Sequence, residues 1–283
     1  MRRTILTTAL IMTLVTTIDA QDVIYEKEDS IFIENVVEDL KSEEFSDKGK
    51  LLLAIADKFI GQEYIAGTLE NGPDEPLYIS CSKLDCTTLI ELVLAIGITI
   101  DKNNSSFNDV CNELEMLRYR NGKRRGYTSR LHYISWWIAD SAKQGLIDEV
   151  TACNLSNSSN LHLTFMSRHP QSYPMLKENP GIIKEIETLE EPFCGRPIDY
   201  IPKRMLDRSK KELPIEDGDI LALTTEIEGL DVTHVGFAFW KEGHLHLLHA
   251  SSGKKEVIKD NETLYNYQAK RKSQTGIRVF RMR

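Results

Sequence analysis

The chain encodes an α+β protein, and two observations predict it. Apolar residues recur at helical spacing through its N-terminal part, and from Asp217 onward short β segments separated by turn residues replace them. Length and composition allow a sizeable core. The 283 residues are 41% hydrophobic and 28% charged, the profile of an ordinary soluble globular protein rather than a disordered or fibrous one. A formal net charge of -8 excludes a general nucleic-acid binder, which needs a basic face to neutralise phosphates. Small molecules or neutral polymers are the expected partners, and no obligatory protein partner is evident.

Arg2 and Arg3 precede the apolar run "ILTTALIMTLVTTI", which is too short to span a bilayer and gives way to polar sequence after Ala20. This pattern predicts a cleavable signal peptide over residues 1–20 and a mature start near Gln21. The protein is therefore expected to be periplasmic or secreted. No other stretch is apolar enough for a membrane helix, and no cysteine stands where a lipid anchor would attach.

Residues 21–194 read as a mainly helical portion. Ile33, Val36, Val37 and Leu40 share one helical face, and "LLLAIADKFIG" gives a second helix closed by Gly61. The third begins in "CSKLDCTTLIELVLAIG", whose apolar positions from Leu89 to Ile96 leave little polar face and predict a central helix. "SRLHYISWWIADSAKQG" reads as a further helix, capped by Ser129 and ended by Gly145. Residues 195–283 read as an antiparallel β portion, entered through the Pro-containing connector "EEPFCGRPIDYIPK". Its strands are "DILALTT", "HVGFAFW", "HLHLLHAS", "KEVIK" and "GIRVFRMR", with turns at Asp217-Gly218 and Glu242-Gly243. Both portions are expected to form one catalytic unit.

Export gives the five cysteines a meaning. Cys81, Cys86, Cys111, Cys153 and Cys194 are odd in number, so at least one stays free or pairs between chains. The chain has no C-x-x-C pair, and no histidine lies at short ligand spacing from Cys81 or Cys86, which disfavours structural zinc. With Asp85 as helix cap, Cys86 falls in the first turn, where free N–H groups and the helix dipole favour a thiolate. Cys86 is accordingly expected to be the fastest-alkylated thiol and unpaired with Cys81. A buried small residue at a helix end would look the same locally.

A thiolate nucleophile needs a base and a group that orients it. His234 opens the strand "HVGFAFW", and its face-mates Gly236, Ala238 and Trp240 include two small residues that leave room for a helix to approach. An even-length turn at Glu242-Gly243 places His249 opposite Gly236, on the face of His234; an odd one would bring His244 or His246 there instead.

"LDCTTLIE", followed by "GDI", "HVGFAFW" and "LLHAS", resembles the NlpC-type cell-wall hydrolases, cysteine peptidases and amidases of papain-like fold. The resemblance implies Cys86 as nucleophile, His234 as base and His249 as third residue. Thr87 stands where that family usually has serine. "YIAGTLE", "RYRNG", "YTSRLHY", "FMSRHPQSYPML", "IPK" and "GLDVTHVG" are similar more narrowly to the N-acetylmuramoyl-L-alanine amidase-like branch, across nearly the whole mature chain. That branch implies cleavage of the amide between N-acetylmuramic acid, or its anhydro form, and L-alanine in peptidoglycan fragments or muropeptides. It requires no cofactor. The alternatives are a γ-D-glutamyl-diamino acid endopeptidase of the same fold and an inactive wall-binding module.

The same resemblance offers Tyr64, Arg130, His132 and Lys203 as substrate-binding residues. Arg118, Arg120, Lys123, Arg124, Arg125 and Arg130 form a basic cluster that reads first as a solvated face, then as a carboxylate site. Of the adjacent Trp136 and Trp137, at most one is expected to face a groove and stack on a sugar. His162 and His169 read as loop residues.

Overall fold

In the computed structural model, residues 23–283 other than 71, 73 and 74 are described. The signal-peptide expectation lies outside the described residues. The chain opens with β1 (Val23–Ile24), α1 (Lys27–Lys41) and α2 (Lys48–Asp57), then β2 (Glu63–Tyr64), β3 (Leu77–Tyr78) and β4 (Lys83–Leu84). Helix α3 (Cys86–Asp101) follows, then α4 (Phe107–Arg118), α5 (Ile134–Lys143), β5 (Ile147–Glu149), β6 (Asn157–Asn160), α6 (Phe165–Arg168) and α7 (Pro180–Glu190). The rest is β7 (Pro197–Pro202), β8 (Ile220–Thr225), β9 (Val232–Lys241), β10 (His244–Ser251), β11 (Glu256–Lys259), α8 (Leu264–Ala269) and β12 (Gln274–Met282). The protein is α+β, with no helix among the described residues long and apolar enough to cross a membrane.

Helix α3 is the axis of the helical layer, buried from Thr88 to Thr99 as its unbroken apolar run predicts. It packs on α1, α2 and α4 on one side and on β9 and β10 on the other. Gly97 permits the close approach of α2, since a Cβ there would lie 2.6 Å from Leu52 Cδ2. One polar group interrupts this apolar cylinder. Glu91, 2% exposed, pairs with Arg118 of α4, also 2% exposed, at 2.7 Å, and the arginine donates a second bond to the Tyr78 carbonyl.

The principal sheet runs β4-β2-β11-β10-β9-β8-β12-β7-β6, with β5 also pairing β12. From β11 to β6 the ladder is antiparallel. Strands β2, β4, β5 and β6 come from the portion read as helical, so the sheet crosses the expected boundary at residue 194. The connector contributes β7, with prolines at its first and last positions, where a missing N–H least disturbs a ladder.

Two faces of the sheet are buried differently. Val235, Phe237, Leu248 and Ala250 join α3 in the larger core, whereas Ala238, Leu245 and Leu247 face Leu264 and Tyr267 of α8 in a smaller one. The expectation that Gly236 makes room for a helix is corrected here. The space beside Gly236 is filled by Leu247 and the Leu248 carbonyl of β10, because α3 packs on the opposite face.

The helix expected over 129–145 is also corrected. It begins at Ile134; Tyr127–Ser129 form a 3-10 turn, and Arg130 is held in a bridge to Tyr119. Tyr133 offers α5 no side-chain cap. Asp231, just before β9, supplies one from outside: its Oδ2 accepts the Ser135 N–H at 2.6 Å and its Oδ1 the Val232 N–H at 2.8 Å. Burial raises the Asp231 carboxyl pKa and these bonds oppose it. The other end agrees with expectation, as Gly145 adopts φ +73 just beyond α5.

The buried Glu91–Arg118 pair gives a stability test. Arg118→Met leaves a carboxylate uncompensated inside the helical layer and should lower the unfolding free energy by about 3–5 kcal/mol, while Glu91→Met/Arg118→Met should recover most of that loss. Denaturant midpoints of the two variants check it.

Candidate active site

Cys86 is the first residue of α3, and the local sequence explains its placement. Asp85 Oδ1 accepts the N–H groups of Thr87 and Thr88 at 3.0 and 2.8 Å, and the Thr88 hydroxyl accepts the Asp85 N–H at 2.9 Å, closing a capping box. The thiol is thereby carried on a rigid first turn. The N–H groups of Val235 and Cys86 and the Thr87 hydroxyl lower its pKa, but burial and the Asp85 charge outweigh them and push it up to about 12.

His234 and His249 meet through the β9–β10 hairpin. The two-residue turn places Glu242 at φ +53 and Gly243 at φ +81, and the register pairs Leu245 with Trp240 and Leu247 with Ala238. His249 therefore falls on the face of His234, and the rings join at 2.5 Å between His234 Nε2 and His249 Nδ1. His244 is exposed at the turn, and His246, on the alternate face, bonds the Asp260 carbonyl at 3.0 Å. Burial lowers the His234 pKa well below its ordinary value, with the charges of His249 and Arg271 acting in the same direction. His234 is therefore neutral at rest.

A cavity of about 130 Å³ brings the separate elements together, with Cys86, Thr87, His132, Tyr133, Tyr173 and His234 in its wall. The Tyr127 carbonyl lies 2.9 Å from His132 Nε2; that nitrogen therefore carries the proton, leaving Nδ1 an acceptor. Burial, with the Arg130 charge second, keeps His132 well below the ordinary histidine range and hence neutral. Tyr64 is close enough to Cys86 for the cysteine's charge to oppose its ionisation; burial, followed by Cys86 and Asp85, raises its pKa to about 12.

Of the four residues offered as substrate-binding, His132 lines this cavity, whereas Tyr64, Arg130 and Lys203 do not. Arg130 is buried against Glu70 and Glu75 at 2.7 and 2.9 Å, with its guanidinium over the Tyr127 ring. Lys203 Nζ reaches the carbonyls of Arg271 and Lys272 at 3.2 and 3.3 Å. Arg271 in turn lies 3.4 Å above the ring of Tyr267, which stacks near His234 at 6.3 Å and meets His249 edge-on at 5.6 Å. Both tryptophans are core residues, 0% and 2% exposed, so neither faces a groove. Arg118 and Arg130 are buried, which corrects the solvated-face reading for those two arginines. His169 is exposed, as a loop residue is expected to be, while His162 lines a groove that adjoins the cavity at Leu230 and Asp231.

All five cysteines are free in the structure. Cys81 is buried beneath α1, where burial and the Asp29 carboxylate raise its pKa and Asp29 Oδ1 accepts its N–H at 2.7 Å. The residues that sequence reading passed over are Tyr133, Tyr173, Asp231, Asp260 and Tyr267. "GLDVTHVG" did hold one signal: an acidic residue three before the candidate base, next to a strand start.

A helix-borne thiol and a neutral histidine in the wall of one small cavity, the histidine hydrogen-bonded to a second ring, form an arrangement suited to acyl transfer. Residues 54–277 match the AmiA-like, N-acetylmuramoyl-L-alanine amidase-like family, and the chain belongs to it. The crystal structure of an N-acetylmuramoyl-L-alanine amidase from Bacteroides uniformis is 40% identical, with a TM-score of 0.79 over 83% of this chain and 99% of that one. A Bacteroides fragilis protein provisionally named a xylanase is 42% identical, with a TM-score of 0.77 over 81% and 100% of the two chains. A Legionella pneumophila protein at 20% identity shares the fold, with a TM-score of 0.68 over 90% and 94%. Comparison with curated proteins gives no match.

The charge states yield a test that contradicts simple expectation. In the resting protein, exposed Cys194 should be alkylated by iodoacetamide before Cys86. Labelling of Cys86 should climb about tenfold per pH unit from pH 6 to pH 9, as a thiol titrating far above neutrality requires. Peptide mapping across that range checks both; a rate already flat at pH 7 would mean a preformed thiolate–imidazolium pair.

Proposed function

We propose that this protein is an exported cysteine amidase of papain-like, NlpC-type fold that splits the amide between N-acetylmuramic acid, or its anhydro form, and L-alanine in peptidoglycan fragments. The observation that carries the reading is the shared cavity: Cys86 and His234 line one wall, and His234 is tied to His249. Family membership supplies the class of bond.

His234 takes the Cys86 proton as the sulfur attacks the lactoyl carbonyl, so charge separation arises only with bond formation. The Cys86 N–H, directed toward its own sulfur, is the expected donor to the developing oxyanion; one such donor is worth about 3 kcal/mol. The His234 imidazolium then protonates the departing alanine nitrogen, leaving a thioester on Cys86. Water activated by His234 releases the sugar acid and restores the thiol.

His132 and Tyr64 are assigned to substrate contact. Arg130 and Lys203 are assigned indirect parts, Arg130 in holding the Tyr127–His132 segment and Lys203 in steadying Arg271 over Tyr267. The catalytic cavity admits the reacting carbonyl and little more, but a groove of about 540 Å³ shares Leu230 and Asp231 with it and gives the rest of a muropeptide room. Xylan hydrolysis is a poorer fit, because it calls for two carboxyl groups across a glycosidic bond. The catalytic cavity offers Asp231, with both oxygens occupied by backbone N–H groups.

Digestion of defined muropeptides decides the reading. The parent enzyme should convert N-acetylmuramoyl-L-alanyl-D-glutamate, or its anhydro form, into sugar acid and free peptide, with sugar-free stem peptide nearly inert because binding on both sides of the bond aligns it. Cys86→Ala should abolish turnover at unchanged stability, and Cys81→Ala should not. Cleavage of free stem peptide after D-glutamate, seen by mass spectrometry, would replace the amidase with an endopeptidase.

A further inference from the structure

His249 is 1% exposed, and only one of its ring nitrogens is bonded. Nδ1 meets His234 Nε2, whereas Nε2 is buried with no hydrogen-bond partner among the described residues. Before it stands the Asp260 carboxylate, with Oδ2 at 3.6 Å. That separation exceeds a formed hydrogen bond, and catalytic contacts commonly tighten when substrate binds. Asp260 is fixed on its other sides. Its Oδ1 accepts the Glu262 N–H at 2.9 Å, its carbonyl meets His246 Nδ1, and its own N–H reaches the Leu247 carbonyl at 2.9 Å.

We infer that Asp260 is a positioning residue that sets the tautomers of the histidine pair. An ionised carboxylate only accepts hydrogen bonds, so it selects the form of His249 with its proton on Nε2. Nδ1 of His249 is then a lone pair and must accept Nε2–H from His234. This leaves His234 Nδ1 as the free acceptor for a thiol proton. The opposite tautomer would donate from His249 Nδ1, force the His234 proton onto Nδ1 and remove the base. The state of the carboxyl agrees: His249, the Glu262 N–H and the Lys254 charge hold Asp260 below the usual carboxylate range against the opposing effect of burial. The inference rests on the amidase reading for its kinetic readout alone.

Asp260→Asn preserves shape and, through its Oδ1, the bond from Glu262, while turning N–H donors toward His249 Nε2. In full-length protein labelled with ¹⁵N-histidine, long-range ¹H–¹⁵N spectra of the resting parent should show His234 and His249 both protonated at Nε2. In Asp260→Asn, His249 should move to the Nδ1–H form. This measurement needs no turnover. On the muropeptide amide, kcat should fall about 100-fold or more, following the precedent of a carboxylate-to-amide change behind a catalytic histidine, with KM within about threefold of the parent. Asp260→Glu should recover part of kcat. Unchanged tautomers in Asp260→Asn, or an unchanged kcat, would overturn the inference. If that variant does not fold, Asp260→Ala serves, and exclusive Nε2 protonation of His249 in it is equally fatal. Parent spectra as expected with no amide cleavage would sink the amidase reading and leave the tautomer assignment standing.

Discussion

The candidate site depends on the pairing register of β9 and β10. Side chains alternate between faces along a strand, so a slip of one residue would carry His249 into the core beside α3 and bring a neighbour to His234. The two positive-φ residues of the turn hold the register at one end. At the other end the rings bond each other, so the hairpin is fixed both by its backbone and by the contact it creates. Asp231, just before β9, adds a third restraint by capping α5, tying the histidine strand to the segment that carries His132 and Tyr133.

Electrostatics then set the resting state. Burial raises the Cys86 pKa, and the capping Asp85 carboxylate that starts α3 adds to that rise. Burial acts on His234 in the opposite direction, lowering its pKa. Both groups are therefore neutral at rest. Under the proposed cysteine mechanism, most of the stabilisation then falls to donors that act as bonds change.

Much of this was legible in the sequence because short-range rules govern it. The capping motif before Cys86, the two-residue turn and strand alternation identify both the helix start and the face shared by the histidines. What escaped depends on contacts between distant segments. One of Trp136 and Trp137 was open to stacking on a sugar, but Tyr133, Phe193 and Arg120 surround Trp136, and Trp137 is equally a core residue. Arg130 looked like a ligand contact until Glu70 and Glu75 arrived from a loop far upstream. Asp260 sits in an ordinary turn sequence, and only the fold shows which ring it faces. The start of α5 was misplaced because its cap comes from Asp231, beyond the reach of local pattern.

Strand β12 lies inside the sheet, between β8 and β7, although it follows both in sequence among the described strands. The strand that bears His234 is supported on one side by β8, whose far edge is closed only when β12 docks. Long-range pairing of this kind forms late and slowly. A chain in which β12 has not yet docked thus holds Cys86 on its helix while the strand that bears His234 lacks the support of a closed sheet.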